Sequence, residues 1–416
     1  MTLFEEFEWR GMVYDATDGT RETLSKEKVT AYIGFDPTAS SLHVGSLLPI
    51  MALARLQTFG HSPIALVGGG TGMIGDPSGK SQERSLLSID EIDANARGMR
   101  AQLERFLDFH ATPNAARMLN NADWLRTVGL LEFLRDTGKH FTVNYMLAKE
   151  SVKRRLGADE GISFTEFSYL LLQAHDYLHL HRTTGCTLQM GGSDQWGNIV
   201  AGCDLIRKVE GGKAHGLVLP LVTTAAGTKF GKTEAGTVWL DPNKTDERAF
   251  YQFWLQTDDR DVIKYLSFFT WLEKPDIERL SRSLLEAPSS RLAQKRLAEE
   301  VTKIVHGEAA VARVLRDAAV RFGDDLSVDV LAAAEPAGEI LNSEIEVGFS
   351  FADLVFRSGL AKSKSEARRF IEQRGVTVNG ALITDWRGRV TRALAIDGSY
   401  LKVTRGRRFV AVVRIR

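Results

Sequence analysis

Two short β-branched runs constrain what this chain can fold into. Residues 29–35 and 63–68 are mostly apolar, show no polar alternation and run into turn residues, the signature of strands buried on both faces. A helical pattern follows each, over residues 46–59 and 90–108. Strand–loop–helix alternation of this kind predicts an α/β domain with a parallel sheet and ligands at the carboxyl ends of its strands. Residues 164–182 carry apolar side chains at helical spacing, and 216–222 read as a further strand. From 246 to 322 the pattern is almost wholly helical, which predicts a second, α-helical domain.

Residues 321–350 break the pattern, with seven acids, one base (Arg321), Pro336 and no firm periodicity. They read as an acidic linker over 323–350, with a short helix near 330–334. The charge then inverts. The formal net charge is zero, yet residues 351–416 hold 15 Lys and Arg against 5 Asp and Glu, while the first 350 hold 38 against 48. A small basic module on an acidic body calls for a polyanionic partner. The hydrophobic share of 44% and charged share of 25% are those of an ordinary globular protein. Two cysteines, Cys186 and Cys203, leave no room for a disulfide framework. The acidic N-terminus is unlike a signal peptide and no apolar run reaches membrane-span length, so a cytoplasmic protein is expected.

Three loops carry the chemistry. Gly70-Thr71-Gly72-Met73-Ile74-Gly75 matches the dinucleotide fingerprint literally, but Asp76-Pro77-Ser78-Gly79 follows where a helix should open. A glycine-rich strand end that lets backbone approach a ligand is what remains. Upstream, Asp36-Pro37-Thr38-Ala39-Ser40-Ser41-Leu42-His43-Val44-Gly45-Ser46 joins the first strand to the first helix. Amides at a helix start attract anions, and an imidazole there can donate to a phosphate whose charge grows in a transition state. Gly45 leaves space where a flat base could lie. Downstream, Gly227-Thr228-Lys229-Phe230-Gly231-Lys232-Thr233 sets two lysines three apart on a glycine-hinged loop, within reach of one polyphosphate. His175, His179 and His181 do not make a zinc site: Asp176 stands where a zinc-protease base would be Glu, and no third ligand follows.

The His43 and Lys229–Lys232 elements together resemble the "HIGH" and "KMSKS" signatures of class I aminoacyl-tRNA synthetases. Three stretches resemble the bacterial-type tyrosyl-tRNA synthetase family in particular: Tyr32-Ile33-Gly34-Phe35-Asp36-Pro37-Thr38, Phe167 through Asp176, and Gly191-Gly192-Ser193-Asp194-Gln195-Trp196. The resemblance runs in order over nearly the whole chain. It implies a Rossmann-like catalytic domain over 1–222 and a loop with an α-helical domain over 223–322. After the linker it implies a small α+β S-four-type RNA-binding domain over 351–416. Tyr32 and Asp176 would bind the hydroxyl of tyrosine, Asp76, Tyr169 and Gln173 its ammonium, and Gln195 would lie near its carboxylate. Gly34, Asp36, Thr38, His43, Gly45, Ser46 and Asp194 would form the ATP site. Lys229, Lys232 and Thr233 would clamp pyrophosphate from a mobile loop, helped by Lys80 and Arg84.

The implied reaction joins tyrosine to tRNA(Tyr) through tyrosyl-adenylate, with Mg²⁺ accompanying ATP, no metal held by the protein itself, and a homodimer as the working form. The apolar stretch from 141 to 164 is expected to supply part of its interface. Ser46 stands where the family carries its second motif histidine, and the loop reads Lys-Phe-Gly-Lys-Thr. Two rivals remain at this point: a tryptophanyl enzyme, and an RNA-binding protein built on a retired synthetase.

Overall fold

The computed structural model describes residues 1–78, 88–157, 161–227, 230–233, 236–322, 328–332, 336–406 and 409–416. They form two compact units, Met1–His306 and Gly307–Arg416.

A six-stranded sheet organises the first unit. Its strands are β1 (Asp15–Ala16), β2 (Thr30–Phe35), β3 (Ser62–Val67), β4 (Arg117–Asn120), β5 (Cys186–Gly192) and β6 (His215–Leu219). They lie in the order β1-β6-β5-β2-β3-β4, all pairs parallel except β1 with β6. The chain therefore builds outward from β2 to one side, then returns through β5 to the other. Between β2 and β5 the direction of winding reverses, which opens a crevice at the carboxyl ends of those two strands.

Helices pack on both faces. α1 (Leu47–Thr58) follows β2; it is apolar nearly all round, and its residues 47–56 are buried apart from Pro49, as expected of a helix inside the layers. α2 (Ile89–Leu103) starts with a capping box between Ser88 and Glu91. α3 (Phe164–Thr184) is capped by Ser163 and ended by Gly185 in the left-handed conformation at φ 65°. α4 (Trp196–Glu210) lies beside it, and Gly202 permits the approach, since a Cβ there would stand 2.7 Å from the Tyr177 ring.

Residues after β6 form a small hairpin, β7 (Lys232–Thr233) with β8 (Gly236–Thr237), then a helical layer of α5 (Glu247–Leu255), α6 (Asp259–Phe269), α7 (Lys274–Glu286) and α8 (Leu292–His306). This layer belongs to the first unit. Fully buried Arg55 of α1 donates to the carbonyls of Phe268 (3.1 Å) and Thr270 (2.6 Å) at the end of α6. Arg10 adds bonds to the carbonyls of Ser267 and Leu272 and pairs with Glu6. Removing one partner of such a buried ionic cluster is costly.

The second unit begins where Gly307, at φ 89°, separates α8 from α9 (Glu308–Phe322). Its sheet has the order β11-β10-β12-β13-β9, from β9 (Gly338–Ile340), β10 (Val376–Val378), β11 (Ala381–Leu382), β12 (Tyr400–Arg405) and β13 (Phe409–Ile415). Helices α10 (Phe351–Arg357) and α11 (Lys364–Glu372) cover it around Leu354, Ile371, Val376, Leu401 and Val413. Two expectations change here. The stretch 323–350 is not simply a linker: β9 pairs in parallel with β13, and Ile340 enters the core. The short helix expected at 330–334 runs over Val328–Ala332, where Leu331 packs on Tyr400 and Val412. The acids hid this because only alternate positions of so short a strand need be apolar.

Candidate active site

The crevice between β2 and β5 holds a cavity of about 620 Å³. It is lined by the ends of both strands, the loop after β3, one face of α3 and the segment after β6. Of the residues singled out from sequence, Tyr32, Gly34, Asp36, His43, Gly45, Asp76, Tyr169, Gln173, Asp176, Asp194 and Gln195 line it. Thr38 is exposed outside the lining, and Ser46 sits half-buried at the start of α1. Lys232 is exposed on the hairpin, with Thr233 beside it in β7. Lys80, Arg84 and Lys229 lie outside the described residues.

One end of the cavity is built from buried polar groups. Asp176 is 2% exposed, yet each of its oxygens accepts a bond: Oδ2 from Asn121 Nδ2 at 2.8 Å, Oδ1 from Trp124 Nε1 at 2.7 Å. Burial lifts its carboxyl to about 7, against the pull of those two donors. Tyr32 is 1% exposed and its hydroxyl has no partner among the described residues. Burial, then the Asp176 charge, push that hydroxyl well above its usual pKa, so it stays a donor. A buried hydroxyl left unpaired costs about 1–3 kcal/mol, a cost that a polar ligand would remove.

A second network lies where α3 faces α4. Gln195 Nε2 donates to Asp76 Oδ2 at 2.7 Å, and the Ser78 amide donates to Asp76 Oδ1 at 2.9 Å. Asn198 Nδ2 donates to Gln173 Oε1 (3.0 Å) and Gln195 Oε1 (3.2 Å). Burial, then nearby Asp36, raise Asp76 to about 6. Tyr169, Gln173 and Asp176 line the cavity from one helix because positions i, i+4 and i+7 share a face.

The other end is built by loops. His43 Nδ1 accepts the Gly45 amide at 3.0 Å, which places the imidazole proton on Nε2. A Cβ on Gly45 would stand 2.7 Å from the His43 ring; glycine is needed there by the histidine itself, whatever lies beyond it. The hairpin lies directly against this loop. Val44 donates to Val238 (3.0 Å), Val238 to Gly231 (3.0 Å), and a Cβ on Gly231 would meet Val44 Cγ2 at 2.7 Å. Phe230 anchors the hairpin among Phe253, Trp254, Tyr265 and Phe269, stacked on Phe269 at 5.6 Å. Above Gly34 the space is open, with nothing within 4 Å of a Cβ position.

The three histidines of α3 have ordinary partners. His175 Nδ1 meets Thr137 Oγ1 at 2.9 Å, His179 stacks on Trp124 at 4.3 Å, and His181 Nδ1 meets the Cys186 carbonyl at 2.9 Å. Sequence reading missed Asn121, Trp124, Asn198 and Gln189, whose buried Oε1 is also unpaired among the described residues. Asn121 and Trp124 reach Asp176 only because β4 lies beside β3, and nothing local announces that.

Residues 24–322 match the family model described as tRNA synthetases class I (W and Y), and residues 351–391 match that of the S4 domain. The chain belongs to the class I tRNA synthetases. This class I chain is 52% identical to the tyrosine–tRNA ligase of Roseiflexus castenholzii over all of its own length and 99% of that protein. It is 49% identical to the tyrosine–tRNA ligase of Geobacillus stearothermophilus over the full length of both. Among solved structures, a C-terminally truncated mitochondrial tyrosyl-tRNA synthetase of Aspergillus nidulans superposes with a TM-score of 0.69 at 32% identity, covering 75% of this chain and 92% of that one. A tryptophanyl-tRNA synthetase of Encephalitozoon cuniculi gives 0.55 at 14% identity, covering 79% and 89%, a likeness of fold alone.

Proposed function

We infer that this class I synthetase is a tyrosine–tRNA ligase of the bacterial type. The unpaired Tyr32 hydroxyl, sharing the buried end of the cavity with the Asp176 carboxylate, carries the reading. A phenol both donates and accepts, so it satisfies Asp176 and Tyr32 together; an indole N–H only donates and would leave Tyr32 unmatched. The named relatives favour the same choice. Asp76, Gln173 and Tyr169 then face the substrate ammonium, and Gln195 its carboxylate. Gly34, Asp36 and Asp194 are assigned to the ribose side of ATP, His43 Nε2–H to a phosphate oxygen, and Gly45 to the adenine.

The tyrosine carboxylate attacks the α-phosphorus of ATP; the bond to the bridging oxygen breaks and pyrophosphate leaves. A ribose hydroxyl at the 3′ end of tRNA(Tyr) then attacks the acyl carbon, and AMP leaves. No side chain forms a covalent bond, so the protein contributes positioning and charge stabilisation. Lys229, Lys232 and Thr233, with Lys80 and Arg84, are assigned to the departing pyrophosphate. Mg²⁺ enters as part of the ATP substrate. Thr38 and Ser46, outside the cavity lining, are assigned to shaping the His43 loop.

The second unit is assigned to tRNA. Lys364, Arg368 and Arg369 on α11 are exposed cations able to hold phosphates. Within the expected stretch Val143, Leu156 and Phe164 are exposed, as are Leu130 and Leu131 just before it; we assign this surface to a homodimer, checked by light scattering at micromolar protein. No helix among the described residues is long and apolar enough to cross a membrane, and a cytoplasmic site belongs to the same reading. The deciding test is amino-acid-dependent exchange of pyrophosphate into ATP. Tyrosine should support it and tryptophan should not; exchange with tryptophan instead, or with neither, would overturn the assignment.

A further inference from the structure

We propose that Gln102, near the end of α2, is a positioning residue for the adenylation step, acting through the loop that carries His43. The inference rests on the assignment of His43 to an ATP phosphate. Gln102 uses both ends of its amide on that loop: Oε1 accepts the Leu42 amide at 2.8 Å, and Nε2 donates to Ser41 Oγ at 2.8 Å. Ser41, 3% exposed, donates onward to the Leu42 carbonyl (2.7 Å) and accepts the Asp241 amide (3.3 Å). Leu240 donates to the same Leu42 carbonyl at 2.9 Å. Gln102 thus holds the residue before His43 and, through Ser41, the segment leaving the β7–β8 hairpin.

The rest of α2 presses on the same loop. Asn95 Nδ2 donates to the Pro37 carbonyl at 2.9 Å, and a Cβ on Gly98 would stand 2.3 Å from the Ser40 carbonyl oxygen. Loops seldom hold a side chain to catalytic tolerance unaided, and small misplacements cost rate steeply. One helix therefore braces the loop at three points over its length, and the two segments assigned to the phosphates share one hydrogen-bonded junction. No residue of this junction lines the cavity, so an effect on rate must pass through the loop.

The test is a double-mutant cycle in the full-length protein, reading single-turnover adenylate formation and tyrosine affinity. Gln102→Ala should slow adenylation between about tenfold and a hundredfold, with tyrosine affinity unchanged. In a His43→Ala background the same substitution should cost less than about threefold, because the group it positions is gone. Gly98→Ala, which would push on the same loop at the Ser40 carbonyl, should behave alike. Equal losses in both backgrounds, or a loss of tyrosine affinity in parallel with rate, would make Gln102 a merely structural residue and overturn the proposal. If His43→Ala alone left the rate intact, the assignment of His43 would fall first and the positioning role with it.

Discussion

The two ends of the cavity are made differently. Around Asp176 and Asp76 the polar groups come from two long helices and from the short segments that leave the strands, are nearly all buried, and already bond one another through Asn121, Trp124, Gln195 and Asn198. Around His43 and Gly231 the walls are loops joined by backbone bonds, and Lys232 stands exposed on a two-residue strand. The first arrangement suits recognition of a ligand that does not change shape. The second suits groups that meet charge only as it develops, where differential binding raises rate rather than affinity. The amino acid should be selected by a pre-built pocket, and the phosphates by parts that move or are braced from behind.

The sharpest way to break this contrast is Lys232→Ala. It should slow adenylate formation by about 10²–10³-fold and leave the dissociation constant of tyrosine within a factor of about two, as read by single-turnover kinetics. Tyr32→Phe attacks the other end. By removing the hydroxyl that awaits the phenol, it should reduce discrimination of tyrosine over phenylalanine by about 1–3 kcal/mol, measured as the ratio of kcat/KM values. Trp124→Phe removes one of two donors to Asp176 and should weaken tyrosine binding by about 1–2 kcal/mol, with the ATP-dependent step unaltered.

The smallest effect is in pH. Burial holds Asp176 at about 7 and Asp76 at about 6. Falling pH therefore protonates acceptors that the substrate needs. The kcat/KM for tyrosine should decline below pH 7 and more steeply below pH 6, while saturating tyrosine masks most of the change. For stability the sign is opposite. Carboxyls with raised folded pKa values bind more protons folded than unfolded, so their contribution is greatest at acid pH and is lost as pH rises through 7. Asp176→Asn should remove the pH 7 limb of both profiles.

Much of this was legible in the sequence, for physical reasons. β2 and β3 announced themselves because strands buried on both faces must be apolar throughout. Tyr169, Gln173 and Asp176 could be grouped because helical spacing puts them on one face. The edge strand β4, half-buried along its length, gave no such signal, and the donors to Asp176 that follow it were invisible with it. β9 hid in an acidic stretch because three residues suffice to extend a sheet. Gly45 was read as room for a base, yet its nearest neighbour is the ring of His43, a contact that only the folded turn reveals.

Binding of tyrosine to the free chain without ATP tests the central claim most directly. Equilibrium dialysis should show saturable binding of tyrosine to the ATP-free protein, at an affinity close to that measured with ATP present, and no comparable binding of phenylalanine. If tyrosine bound only after ATP, or phenylalanine bound as well, the pocket would not be pre-built and the contrast between its two ends would be wrong.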